Sequence, residues 1–291
     1  MCMDEKSYIF FEDKNFSNIV VLSFIDFELT QLEFLEVKNK RSKIEYYFTA
    51  GPAIIEHIIL SFPEIDMLTY LDADLYFFSS PEPLFDEMQN YSIGIISHKL
   101  SGIRKIYEKY GIYNVGWLTF RRNENGLKCL EIWKNDCLNW CYDYFDKQND
   151  RFADQKYLEK WSDLFHDLKI IEHKGANVAP WNAGNYNIHL IDNKVFIADE
   201  TLIFYHFSSL KQINARHFNT GISKYFYTPS EILKQNIYIP YIKNLLLNIQ
   251  VTNNNLIAPR YKYNTINWRD TTQLWSVKIR KILFDEKIIL D

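Results

Sequence analysis

Glycine is scarce, at 9 residues in 291, and no glycine-rich basic loop of the kind that cradles a triphosphate stands near the N-terminus. Cysteine is scarce too, with four residues and no CxxC pair, so the spacing signature of a thiolate zinc site is missing. Neither charge sign dominates: 33 basic against 37 acidic residues in mixed order leave a net charge of −4, without the basic footprint that duplex binding requires. No apolar run reaches the roughly 20 residues that span a bilayer, and no N-terminal segment combines basic residues, an apolar run and a small-residue cleavage site. The expectation is a cytoplasmic protein that binds no nucleic acid. Internal repeats and low-complexity tracts are also lacking.

What the chain does have is bulk. With 47% hydrophobic residues, including 20 Tyr, 21 Phe and 7 Trp, it can bury one large core, alone or with an extension. In "GLKCLEIWKNDCLNWCYDYF" the residues Leu127, Leu130, Trp133, Cys137, Trp140 and Tyr144 recur at helical spacing, which places Cys129, Cys137 and Cys141 on or beside a buried stripe as small hydrophobes in a reducing setting. "NIVVLSFIDFE" (Asn18 to Glu28) reads as a short apolar strand, and "KIEYYFTAGPAIIEHIILSF" (Lys43 to Phe62) as a helix with Ser42 at its N-cap. Buried strands are expected at "DMLTYL", "SIGIISH" and "VGWLTF", a shorter helix from Asp154 to Trp161, and further strands at "LKIIEH", "KVFIAD" and "LIFYHF". Strands alternating with helices indicate an α/β layered sheet. Past Pro229, "EILKQNIYIPYIKNLLLNIQ" and "TTQLWSVKIRKILF" read as amphipathic helices, giving a boundary between 1–228 and a helical extension, 229–291. The aromatic and basic mixture of Trp268, Arg269, Trp275, Lys278, Arg280 and Lys281 makes peripheral membrane contact, at the inner face of the plasma membrane, a secondary expectation for that extension.

The chemistry concentrates in "MLTYLDADLYFFSSPEPLF", where Asp72 and Asp74 interrupt an apolar run. Ionised carboxylates are expensive to bury unless paired or bound to a metal. Read as an extended segment at a strand's carboxyl end, the two side chains point to one side and can share Mg²⁺ or Mn²⁺; a plain strand-end turn is the alternative reading.

Taken in order, "YLDADLYFFSSPEPLF", "YNVGWLTFRR", "RFADQKYLEKW", "HKGANVAPWN" and "FYHFSSLKQ" resemble the nucleotide-diphospho-sugar transferases of the GT-A fold, especially bacterial enzymes similar to glycosyltransferase family eight. The resemblance runs from about Asn18 to Gln212. It implies a GT-A Rossmann-like layered sheet in which Asp72 and Asp74 form a metal-binding DxD and His206 is the third ligand of a divalent cation, Mn²⁺ or Mg²⁺. Lys211, one residue closer to the histidine than in family eight, matches the basic contact to the donor diphosphate. Asp154 and Gln155 match the catalytic Asp-Gln pair on the acceptor side. Asn114 and Gly116 match an Asn-x-Gly beside the donor sugar, while Gly175, Asn177, Trp181 and Asn182 offer amides and an indole face to sugar hydroxyls and rings. The implied activity is a retaining hexosyltransferase that moves sugar from UDP to a hydroxyl of a surface glycan or lipid-linked precursor. Sugar-nucleotide pyrophosphorylases share the layering but need the triphosphate loop that is missing here. The other alternative is a degenerate GT-A domain that binds a glycan or partner protein. Family members open with a strand and helix ahead of the segment corresponding to Asn18–Glu28, so an incomplete N-terminal strand unit is also expected.

Overall fold

The computed structural model describes residues 1–253 and 287–290. Three short helices lead the chain: α1 (Glu5–Lys14), α2 (Phe24–Thr30) and α3 (Leu32–Lys38). The strand expected over Asn18–Glu28 is therefore not formed. Ser23 accepts from the Asp26 amide and starts α2, and the helical spacing of Phe24 and Phe27 buries both rings against Phe34 and Tyr46, while Ile19 and Val20 stay exposed. An apolar run alone does not distinguish a strand from a helix; here the cap and the i,i+3 aromatics decide.

Helix α4 (Lys43–Ser61) begins where its sequence predicts, with Ser42 and Glu45 forming a reciprocal capping box. It packs beside α6 (Glu124–Asn139), whose last carbonyls, those of Cys137 and Leu138, accept from the Arg41 guanidinium at 2.7 and 2.8 Å. That cation sits where a helix C-terminus favours positive charge. Between these helices come β1 (Met67–Leu71), β2 (Leu75–Phe77), α5 (Glu82–Glu87), β3 (Ile93–Ser97), a 3₁₀ helix (Gly102–Tyr110) and β4 (Tyr113–Arg121). After α6 follow a 3₁₀ turn (Lys156–Lys160), α7 (Trp161–Leu164) and β5 (Leu168–Ile171).

The central sheet has the order β1-β4-β3-β5, with β4 antiparallel to both neighbours and β3 parallel to β5. Strands β1, β3 and β5 thus run one way and β4 the other. The layered α/β architecture expected from the sequence is present, as a mixed sheet. Period-two alternation along β4 sends Leu118 and Phe120 to the layer containing Ile59, Leu130 and Trp133, and Trp117 to the opposite layer with Leu84 and Phe204. Cys129, Cys137 and Cys141 are free and fully buried, so they pack as the helical stripe predicts.

The second half of the chain adds a meander, β6 (Ile188–Ile191), β7 (Lys194–Ile197) and β8 (Glu200–Thr201). Strand β9 (Phe204–His206) then pairs with β2, and β10 (Lys211–Gln212), β11 (His217–Asn219) and β12 (Lys287–Ile289) form a small sheet. A π-helical turn (Leu233–Tyr238) runs into α8 (Ile239–Asn253). Leu233, Ile237, Tyr238 and Ile242 share a core with Val178, Tyr205 and Phe207, so this part of the expected extension packs on the preceding residues. The "TTQLWSVKIRKILF" segment lies outside the described residues.

Candidate metal centre

Sheet direction and register bring the site together. The carboxyl ends of β1 and β3 and the start of β4 fall at one end of the central sheet, which delivers Asp72, His98 and Asn114 to the same place. Asp72 and Asp74 are not on an extended segment, as the sequence reading had them. They flank a tight turn joining β1 to β2, closed by the Leu75 amide on the Asp72 carbonyl at 3.4 Å. The antiparallel register of β2 and β9 sets Leu75 opposite His206, and the Phe207 amide binds the Asp74 carbonyl at 2.9 Å. A residue 132 positions downstream in number is thereby fixed beside the acidic turn by backbone pairing, before any side chain is considered.

His206 Nε2 stands 3.0 Å from Asp74 Oδ1 and 3.7 Å from Asp72 Oδ2, and one ligand atom from each of the three residues lies within 4.8 Å of the others. Tyr70 donates its hydroxyl to Asp72 Oδ1 at 2.9 Å, orienting that carboxylate. Burial raises the Asp72 carboxyl above its ordinary range, against the pull of His206 and the Tyr70 hydrogen bond. Asp74 feels burial as well, yet the hydrogen bond and charge of His206 outweigh it and hold this carboxyl below the usual range. Two carboxylates and an imidazole converge on a cleft of about 510 Å³, and among the described residues none that lines it is a lysine or arginine. The donor set suits an oxygen- and imidazole-liganded divalent cation, and among the described residues only the imidazole of His206 stands against the two carboxylates as an ion-pair partner. A second cavity of about 530 Å³, between β2, β7 and α8, is lined by residues such as Tyr76, Phe78 and Asn236, with no carboxylate or imidazole among the described residues that line it.

Gly116 is required at this spot. Opposite it the register of β3 and β4 slips, Ile95 facing Leu118 and Ile96 facing Asn114, so that Val115, Gly116 and Trp117 bulge out. A Cβ on Gly116 would stand 2.8 and 2.9 Å from His206 Cε1 and Nδ1 and 2.6 Å from Asn114 Oδ1. The missing side chain makes room for the His206 ring. Asn114 accepts from the Gly116 amide at 3.2 Å and lies 3.3 Å from His98 Nε2. His98, which the sequence left without a role, meets one edge of Trp181 at 5.1 Å between centroids while His206 meets it at 5.0 Å. Burial, then the His206 charge, lowers the His98 pKa to about 4, so its imidazole is neutral at physiological pH.

The remaining sequence candidates separate. Gln155 lines the cleft and donates to the Tyr110 carbonyl at 2.7 Å. Asp154 sits behind it, buried, its carboxyl raised to about 7 by desolvation and then by the like charge of Asp72. Trp181 lines the cleft, whereas the Asn177 and Asn182 side chains are fully buried. Asn182 is spent on the His98 and Asn177 carbonyls and the Ala179 amide, and Asn177 donates to the Ser97 carbonyl. Gly175 lies under the Thr201 carbonyl, where a Cβ has no room. Lys211 is exposed on β10 and is not among the residues lining the cleft. Sequence reasoning missed Tyr107, Tyr110 and Tyr225, which form an aromatic wall of the cleft. In a chain this rich in tyrosine no spacing singles them out.

The fold and site together define an α/β protein with an Asp-Asp-His group that could hold a cation at the end of a mixed sheet. No protein-family model matches the chain. Among curated proteins it is 31% identical over 224 residues to YfnF of Bacillus subtilis (strain 168), covering 74% of this chain and 72% of YfnF. It is 29% identical over 246 residues to YfnD of the same organism, covering 84% of this chain and 78% of YfnD. The chain belongs to the family of YfnF, which is described, like YfnD, as an uncharacterized protein. A crystal structure of a glycosyltransferase involved in the glycosylation of the major capsid of PBCV-1 aligns with 59% of this chain and 74% of its own, at a TM-score of 0.39 and 11% identity.

Proposed function

We propose that the chain is a divalent-metal-dependent glycosyltransferase of the GT-A type that moves a hexose from UDP to a hydroxyl of a surface glycan or lipid-linked acceptor. The observation that carries this reading is the convergence of Asp72, Asp74 and His206, from two distant segments, on a cleft lined by no lysine or arginine among the described residues. A diphosphate would be repelled from such a cleft unless a cation entered with it. Mn²⁺ or Mg²⁺ held there would stabilise the charge that develops on a departing nucleoside diphosphate.

The protein's own groups would then do the following. Asp72 and Asp74 hold the cation, with Tyr70 fixing the first carboxylate and Gly116 admitting the His206 ring. Trp181 and the tyrosine wall give a saccharide ring apolar faces to lie on. Gln155 presents an amide to the cleft, and Asp154 behind it orients the sugar or stabilises positive charge at the reacting carbon. Lys211, Asn114, Gly175, Asn177 and Asn182 belong to the same proposal in the roles implied by the resemblance; for Asn177 and Asn182 those roles would need their buried amides to be released.

Calorimetric titration of UDP with and without Mn²⁺ tests the reading, with Asp74→Asn as control. Metal-dependent UDP binding that the substitution abolishes is expected. Glycan binding indifferent to metal would instead make the domain a binding module.

A further inference from the structure

The 3₁₀ helix Gly102–Tyr110 forms part of the rim of the cleft, and at nine residues it is long for its type. With three residues per turn, side chains three apart eclipse one another. Ile103, Ile106 and Lys109 therefore make one stripe, Arg104, Tyr107 and Tyr110 a second, and Lys105 and Glu108 a third. The second stripe faces inward. The Arg104 guanidinium binds Ser101 Oγ, the Asn185 side chain and the Tyr225 carbonyl, the Tyr107 hydroxyl donates to the Lys224 carbonyl at 3.0 Å, and the Tyr110 carbonyl accepts from Gln155.

A helix pinned this firmly cannot turn its apolar stripe inward. Ile103 stays 61% exposed and Ile106 54%, with Lys105 and Lys109 also exposed beside them. Scattered exposed isoleucines are ordinary; two held out in register by a half-buried opposite face whose Arg104 and Tyr107 side chains are hydrogen-bonded to the protein are less so. Lys105 and Lys109 against Glu108 leave this surface net basic. Ile44, likewise exposed, lines the same cleft from the first turn of α4, next to Lys43.

We propose that this rim docks on an anionic lipid surface, with Ile103 and Ile106 entering the headgroup boundary and Lys105 and Lys109 meeting the acidic headgroups. Apolar side chains and lysines in this combination are what interfacial binding uses. Two isoleucines and two lysines give weak, reversible attachment, which brings the cleft to acceptors embedded in the membrane without holding the protein there. The docking itself needs neither the extension beyond Pro229 nor transfer activity; its purpose of reaching acceptors rests on the glycosyltransferase reading.

Co-sedimentation of the full chain with phosphatidylcholine vesicles, with and without phosphatidylglycerol, tests it. The chain should sediment with the anionic vesicles and be released by salt, and Ile103→Ser with Ile106→Ser should weaken that association by about tenfold or more. Lys105→Ser with Lys109→Ser should remove the dependence on phosphatidylglycerol. Unchanged near-ultraviolet circular dichroism and Mn²⁺ binding would show that both variants are folded. No association of the wild type, or equal association of the isoleucine variant, overturns the proposal. So does light scattering that shows a dimer which the isoleucine variant abolishes, because the stripe would then be covered by a second copy of the chain.

Discussion

Asp154 is a carboxylate held against its own preference, and replacing it with asparagine should make the protein more stable, increasingly so as pH rises. Burial, then the like charge of Asp72, raises its folded pKa to about 7, against about 3.9 for a free aspartate. A carboxyl raised on folding contributes stability below the unfolded pKa and loses it as pH rises through the folded one. At pH 5 the group is still protonated in the native state but mostly ionised in the unfolded chain, and the penalty is about 1.5 kcal/mol. By pH 8 both states are ionised and the penalty reaches about 4 kcal/mol. Asparagine is nearly isosteric and can accept the amides of residues 154 and 155 that the carboxylate accepts. It carries no charge to desolvate and none to oppose Asp72. Urea denaturation of wild type and Asp154→Asn with a chelator present should therefore show the variant's advantage growing by about 3 kcal/mol between pH 5 and pH 8, other titrations cancelling in the comparison. A difference that does not change with pH would refute the reasoning. If the stabler variant also loses transfer activity, the buried charge is kept for the site and not for the fold.

Gly116→Ala would push a methyl into the His206 ring and Asn114, and should lower Mn²⁺ affinity by about tenfold or more while costing about 1–3 kcal/mol of stability, read by calorimetry and denaturation. Trp181→Ala would free both imidazoles that rest on the indole; a loss of about 3–5 kcal/mol is expected from unfolding curves, with a broadened His206 ring signal in NMR. Lys99 donates to the Glu172 and His173 carbonyls and burial lowers its pKa to about 8. Because the unfolded lysine binds the proton more tightly, wild type should gain about 2 kcal/mol relative to Lys99→Met between pH 7 and 9.5.

How far the sequence could be read depended on whether a local signal had one physical meaning. Ser42 and Glu45 can cap only a helix that starts between them, and α4 begins there. The strand "MLTYL" before an acidic pair had to end at the pair, because carboxylates do not continue a buried strand, and β1 ends at Leu71. Asn18 to Glu28 failed since an apolar run fits either element: the Ser23 cap and the i,i+3 pair Phe24 and Phe27 lie inside that window, but the rings they pack on, Phe34 and Tyr46, lie outside it. "HKGANVAPWN" was ambiguous in a different way: Trp181 lines the cleft while Asn177 and Asn182 are buried. Asn177 has a φ of 56°, a conformation asparagine tolerates, and a turn of this chemistry looks alike whether its amides face a ligand or the core. Only the sheet placement shows that Asn182 holds the His98 and Asn177 carbonyls in the interior.

Several unfavourable features lie near the end of the sheet that carries the acidic turn, and they bear on whether that turn is a site or ornament on a strand end. Ala153 adopts a φ of 43°, which for a residue with a Cβ costs about 1–2 kcal/mol, immediately before the buried Asp154. Asp72 is raised by burial a short distance away, and Asn177 Oδ1, His98 Nδ1, His206 Nδ1 and Trp181 Nε1 are buried without hydrogen-bond partners among the described residues. In the layer behind the sheet Thr69 and Thr119 pair their hydroxyls at 2.9 Å beside Leu84, Met88, Phe204 and Trp117, where the indole N–H of Trp117 has no partner among the described residues. A chain under pressure only to fold would exchange Asp72 or Asp154 for an uncharged residue and gain stability. Strain, orphaned polar atoms and perturbed carboxyls in and behind one cleft are the kind of feature that functional sites retain at a cost to stability.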